Sequence, residues 1–169
     1  TKDRILAEGK FLRGYLYFIL VNIFGEIPIK LNPPLNADEI NKPKSPVEDV
    51  YAQIEKDLGE AVNVLEATTT AENLGHATKG AALGLLAKVY LYQGKYTEAL
   101  ATIDLIEGLG QYQLQEVYKN NFIDSTQNNS ESLFEIQHLS TQVPKLGSHL
   151  NQYFGPSKDN SYYFNTPLQ

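Results

Sequence analysis

Apolar side chains recur at three- and four-residue intervals through most of the first 106 residues, the spacing that lines one face of a helix. Residues 3–24 place Leu6, Phe11, Leu12, Tyr15, Leu16, Ile19, Leu20 and Phe24 on that rhythm, which predicts a first helix. Nine of the ten residues from Tyr15 to Phe24 are apolar. Neighbours are therefore expected on more than one side of this helix, and its aromatics (Phe11, Tyr15, Tyr17, Phe18 and Phe24) are read as core. Gly25 stops it, and Pro28 holds Ile27 extended. Pro33, Pro34 and Pro43 mark residues 30–44 as an irregular connection, long enough to be functional in its own right. Ser45-Pro46-Val47-Glu48 then reads as a cap, a first-turn proline and a reciprocal capping glutamate. Val47, Val50, Tyr51, Ile54, Leu58, Ala61 and Leu65 line the face of the helix that follows, and Thr68-Thr69-Thr70 ends it.

The segment from Gly80 to Ile106 predicts a helix hairpin. Leu83, Leu86, Ala87 and Tyr90 keep helical spacing before Gly94-Lys95, and Ala99, Leu100, Ile103 and Ile106 keep it after. Gly94 falls where a left-handed helix stop is needed, and glycine takes that geometry without a steric cost. Thr78 is placed to cap the first of the two helices. Gly80, Ala81, Ala82, Gly84 and Ala87 are small enough to let a second helix approach closely. Of Tyr90 and Tyr92, one is expected to face inward and the other a neighbouring helix. The series Leu86-Ala87-x-x-Tyr90-x-x-x-Gly94-x-Tyr96-x-x-Ala99 resembles a tetratricopeptide helix pair. It departs from that pattern at Ile106 and Gln111. Beyond Gly108 and Gly110, Ser132-Leu-Phe-Glu-Ile-Gln-His138 alternates and reads as a short strand. Residues 139–169 keep no period and carry Pro144, Pro156 and Pro167 among many Asn, Gln and Ser.

Composition narrows the functional classes. The chain has 169 residues, 42% of them hydrophobic, as in a globular domain with a real core. Its net charge of −6 divides as +2 over residues 1–30, −6 over 31–75 and −2 over the remainder. No basic face is available to neutralise phosphates, which argues against nucleic acid. There is no Cys, which excludes disulfides, thiolate zinc sites and a cysteine nucleophile. The run from Tyr15 to Phe24 is too short to span a bilayer. A chain that opens at Thr1, without a signal peptide and almost directly into a helix, reads as a fragment whose processing signals lie outside it.

In order along the chain, a set of short motifs is similar to the RagB/SusD family of nutrient-binding outer-membrane lipoproteins. They are Glu8-Gly-Lys-Phe-Leu-Arg13-Gly-Tyr-Leu-Tyr-Phe, Leu20-Val-Asn-Ile-Phe-Gly25-Glu-Ile-Pro28, Ser45-Pro-Val-Glu-Asp-Val-Tyr-Ala-Gln-Ile and Lys56-Asp57-Leu58-x-x-Ala61. Ala77-Thr-Lys79-Gly-Ala-Ala82, Leu86-Ala-Lys-Val-Tyr-Leu-Tyr, Tyr112-x-Leu114 and Glu131-Ser-Leu-Phe134-Glu-Ile-Gln137 follow. Gly9 and Gly14 stand where the family usually has Ala, which weakens the first helix modestly. Family members are much longer, with a lipidated cysteine before this region and a ligand-contacting half after it. The resemblance implies an all-α fold of tetratricopeptide-like hairpins packed as a right-handed array, with irregular loops and at most one or two short strands. Residues 1–138 would form that scaffold, and 139–169 an aromatic- and Asn-rich loop region leading into a further half. It also implies a cell-surface lipoprotein of the outer membrane in a Bacteroidetes-type bacterium, touching the membrane only through a lipid anchor outside this chain. Its implied partners are a SusC-like TonB-dependent transporter and an oligo- or polysaccharide.

The residues themselves offer little chemistry beyond binding. Glu8, Arg13, Asp57 and Lys79 are charges within packed helices and read as ion pairs locking the hairpins, with Arg13–Asp57 as the expected pair. His76, His138 and His149 are scattered without metal-ligand spacing. Glu131 and Glu135 straddle a loop–strand junction and are not marked as the opposed carboxylates of a glycosidase. No phosphate loop, nucleophile elbow or H-E-x-x-H is present. No catalytic residue, metal or cofactor is expected. In the tail, Tyr153, Phe154, Tyr162, Tyr163 and Phe164 are interleaved with Asn151, Gln152, Asn160 and Asn165. Flat apolar faces beside amides suit a sugar, whose ring offers a C–H face for stacking and hydroxyls for hydrogen bonds. We therefore take Asn151, Tyr153, Phe154, Tyr162, Tyr163 and Phe164 as the glycan-contact set; a loop packed over the scaffold would show the same mix. The open functions are non-catalytic glycan binding with delivery to a transporter, a tetratricopeptide-like scaffold for another protein, and an enzyme acting on glycans.

Overall fold

The computed structural model describes residues 1–137. Residues 1–135 form one compact unit, and the expected loop region 139–169 lies outside the described residues. Helix α1 spans Lys2–Phe24, α3 Val47–Val64, α4 Lys79–Tyr92 and α5 Tyr96–Gly108, while α2 is a single turn over Ala37–Ile40. Short 3₁₀ turns follow at Ala71–Asn73, Tyr118–Phe122 and Asp124–Thr126. Helix α3 lies between α1 and α4, and α5 packs on α4. The fold is all-α and built of helix hairpins, as expected.

The core is the shared face of α1, α3 and α4. Phe11, Val50, Ile54, Leu58, Ala82 and Val89 are each at most 1% exposed and belong to one cluster. Where α1 crosses α3, Gly14 leaves just enough room: a Cβ there would lie 3.1 Å from Leu58 Cδ2. The α4–α5 hairpin closes as predicted, with Gly94 at φ +72° and the Lys95 N–H donating to Tyr90 O at 2.9 Å. Thr78 caps α4, its hydroxyl oxygen accepting from Ala81 N–H at 3.1 Å.

Several expectations are corrected. Among the described residues helix α1 is covered on one side; Leu12, Leu16, Ile23 and Phe24 are exposed, because α3 and α4 both approach the Phe11–Phe18 face. Phe24, expected in the core, is 65% exposed within the described residues. Ser45 is not a side-chain cap: its N–H donates to Ile27 O at 2.9 Å in an antiparallel bridge, and α3 starts at Val47 behind Pro46. Gly80 and Gly84 admit side chains from the following loop, not a helix, since a Cβ on either would overlap Tyr112 or Leu133. In α5 the buried positions are Ala99 and Thr102, while Leu100 and Ile103 are exposed. The strand expected from Ser132 is absent among the described residues. Leu133 packs against Gly84 and the adjacent Phe134 sits edge-on to Phe11 at 5.1 Å, so neighbouring side chains both turn inward, which an alternating strand forbids.

Candidate functional site

Charges on the scaffold serve the packing first. Asp57 is 1% exposed and receives Arg13 Nε at 2.7 Å and Nη2 at 2.6 Å, with Gln53 Nε2 at 3.0 Å as a third donor. The hydrogen bond to Asp57 raises the Arg13 pKa against the opposing effect of burial. Arg13 also reaches Leu31 O at 3.3 Å, while Tyr17 clasps the same connection through both Lys30 N–H (2.7 Å) and Lys30 O (3.0 Å). These bonds pin the loop after α1 to the helix.

Among the clefts of the described residues, one of about 550 Å³ is lined by residues 30–35 of the connection with Glu39 and Lys42, and two others join helix and loop side chains. The first of these two, about 290 Å³, opens between the turn Leu74–Thr78 and the loop Asn128–Glu135, beside Gln111 and Tyr112. His76 Nδ1 lies 3.0 Å from Glu8 Oε2, and Arg4 Nε donates to Glu8 Oε1 at 2.9 Å. Burial pushes the Glu8 carboxyl up, but the hydrogen bonds from His76 and Arg4 together outweigh it and leave the pKa below its ordinary value. The two carboxylates of the loop are engaged with backbone: Glu131 Oε2 accepts from Gln115 N–H and Glu135 Oε1 from Asn128 N–H, both at 2.9 Å. The Gln115 bond, with a further one from Asn121, lowers the Glu131 pKa. They brace a loop; they do not face each other across a substrate.

The second cleft, about 440 Å³, is formed by Glu48, Tyr51, Ala52 and Glu55 of α3 with Tyr92, Gln93 and Lys95 at the α4–α5 turn. Glu55 Oε1 accepts from Gln93 Nε2 at 2.7 Å and from Lys95 Nζ at 2.5 Å. Tyr92 is 57% exposed and meets Phe18 edge-on, with centroids 5.0 Å apart. Tyr51 is half-buried, its hydroxyl 3.4 Å from Asn22 Oδ1, and burial pushes its phenol up despite that bond.

No group of three or more His, Cys, Asp or Glu able to hold a metal occurs among the described residues. No described helix is long and apolar enough to cross a membrane.

Residues 1–91 match the third SusD-like family, described as "starch-binding associating with outer membrane". The chain belongs to the SusD-like family. A solved laminarin-binding SusD-like protein is 35% identical with a TM-score of 0.77, covering 83% of this chain and 32% of that one. A SusD-like carbohydrate-binding protein of Bacteroides fragilis is 28% identical with a TM-score of 0.86, covering 96% and 32%. SusD-like protein P2 of Formosa agariphila is 30% identical over 150 residues, 86% of this chain and 29% of the relative. The chain thus spans about a third or less of the length of each.

In this SusD-like chain the six residues expected to contact glycan, Asn151, Tyr153, Phe154, Tyr162, Tyr163 and Phe164, lie outside the described residues. Arg13 and Asp57 meet as expected. Glu8 pairs with Arg4 and His76, and Lys10, unforeseen, pairs with Glu60. The Tyr51–Tyr92 cleft was not anticipated. Its signal was present as Glu48, Tyr51 and Glu55 on one stripe of α3, but nothing local announces that Tyr92 stands opposite.

Proposed function

We propose that this chain is part of a non-catalytic binding protein that holds nutrient oligo- or polysaccharide at the outer-membrane surface of a Bacteroidetes-type bacterium and delivers it to a SusC-like TonB-dependent transporter. The observation that carries this reading is the 35% identity, across 83% of the chain, to a laminarin-binding SusD-like protein. The family description, starch-binding and outer-membrane-associated, agrees with it. Residues 1–138 would supply a rigid scaffold, and residues 139–169, with Asn151, Tyr153, Phe154, Tyr162, Tyr163 and Phe164, would contribute ligand contacts. Capture is an equilibrium, through stacking and hydroxyl hydrogen bonds, with no covalent step. Anchoring is through a lipid attached outside this chain. The transporter partnership rests on the family resemblance, and co-purification from outer membranes would test it.

The test of binding is a pull-down of the complete protein on insoluble laminarin and on starch granules, with reducing ends assayed in the supernatant. Retention without new reducing ends is expected. New reducing ends would make the protein an enzyme. A tetratricopeptide-like protein-binding scaffold is the second reading, favoured by the exposed stripe Leu12, Leu16, Ile19 and Ile23 along α1. Failure to be retained on either polysaccharide would leave that reading in place.

A further inference from the structure

We propose that the cleft between α3 and the α4–α5 turn is a glycan subsite of this chain, with the Tyr92 ring as the platform for one pyranose face. The proposal rests on the glycan-binding reading above and adds a location, a set of contacts and a ligand charge class.

The platform is fixed and only partly covered, with the Lys88 ammonium over the ring at 6.0 Å from its centroid. Phe18 meets the Tyr92 ring edge-on at an interplanar angle of 71°, which holds the ring plane, yet Tyr92 remains 57% exposed. A large, half-wet aromatic held in one orientation loses little entropy when a ligand lands on it. The helices behind it are rigid: Ile54 of α3 and Val89 of α4 are both 0% exposed.

The polar groups are equally prepared. Gln93 Nε2 and Lys95 Nζ both donate to Glu55 Oε1. That arrangement holds an amide, a carboxylate and an ammonium in one cluster on the cleft wall. It leaves the Gln93 carbonyl oxygen, Glu55 Oε2 and the remaining ammonium protons for hydroxyls of a ligand, which both donate and accept.

Charge chooses among ligand classes. Glu48 and Glu55 oppose phosphates and other anions, while Lys95 and Lys88, whose Nζ lies 6.0 Å from the Tyr92 centroid, oppose a cation. A purely apolar ligand would desolvate the Glu55–Lys95 pair without replacing its water. A neutral polyol with an apolar face meets none of these penalties. The cleft's 440 Å³ lies within the ~300–1,000 Å³ of small-molecule sites.

The experiment is calorimetric titration of the complete protein with laminari- and malto-oligosaccharides, comparing wild type, Tyr92→Ala, Tyr92→Phe and Gln93→Ala, with melting temperatures for each. Loss of a stacking anchor should weaken binding by about tenfold in Tyr92→Ala. Tyr92→Phe, which keeps the ring, should restore most of it, and Gln93→Ala should weaken it less. Unchanged affinity in Tyr92→Ala, or a loss matched by a lower melting temperature, overturns the subsite and leaves the glycan-binding reading standing. A wild-type protein that binds neither series overturns both.

Discussion

Arg13 and Asp57 meet in a two-bond fork that joins α1 to α3 across 44 residues of sequence. Asp57 lies at 1% exposure with Leu58 at 0% beside it, so the carboxylate is a buried charge within the main helix–helix contact. Burial of that kind is stable only while the partner is in place. The same guanidinium reaches Leu31 O, so one side chain ties together two helices and the connection leaving the first.

Arg13→Ala should therefore cost about 3 kcal/mol, the lower end of the range for breaking a buried pair, because Arg13 itself keeps some solvent contact. Asp57→Asn keeps the volume and removes the charge, and should cost less. Denaturant unfolding of the two variants checks the order. An Asp57→Asn variant as stable as wild type would mean that the charge contributes nothing beyond shape.

Glycines in α1 and α4 should respond in opposite directions to alanine. Nothing lies within 4 Å of a Cβ built at Gly9, whereas one at Gly80 overlaps the Tyr112 hydroxyl and ring. Gly9→Ala should stabilise by about 0.5–1 kcal/mol through helix propensity. Gly80→Ala should destabilise by about 1–3 kcal/mol from overpacking, and a second change, Tyr112→Ala, should remove much of that penalty. Thermal melts of the single and double variants decide it; additivity in the double would rule out the clash.

These contrasts bear on what a sequence can carry. Gly94 and Thr78 are legible because each is written locally, as a stop and a cap, and the Arg13–Asp57 pair because each helix sets an opposite charge among its apolar positions. Leu133 and Phe134 were misread because their environment comes from Gly84 and Phe11, far away in the chain, and the alternation around them matches a strand by coincidence. Ser45 was misread for the same reason, since the Ile27 carbonyl competes for the chain just where the capping geometry would form. The Tyr51–Tyr92 cleft joins residues 41 apart on different helices and has no local signature, while the expected contact set in the tail lies beyond the described residues.

Acid should loosen the strap between α1 and the turn before α4. The Glu8 pKa lies below its ordinary value of 4.5, because the His76 and Arg4 bonds overcome the upward push of burial. A carboxyl depressed on folding contributes stability that is present above its unfolded pKa and lost as pH falls through the folded one. Melting temperature should therefore drop as pH is lowered beneath about 4.5, and Glu8→Gln should flatten that limb relative to wild type. Identical acid limbs would show that other carboxylates carry the effect.

The two hydroxyls expected to cap helices should part company. Thr78 Oγ1 accepts from the Ala81 N–H at 3.1 Å at the start of α4, so Thr78→Ala removes a bond from an otherwise orphaned donor and should cost about 1 kcal/mol. At Ser45 the structure records no side-chain cap, and the residue's contribution is its backbone N–H to Ile27 O, which alanine retains. Ser45→Ala should fall within about 0.5 kcal/mol of wild type. Ser45→Pro removes that N–H and should be clearly worse than Ser45→Ala. Unfolding midpoints of the three variants give the ranking; a Ser45→Ala loss as large as that of Thr78→Ala would mean that α3 is capped by the serine hydroxyl after all.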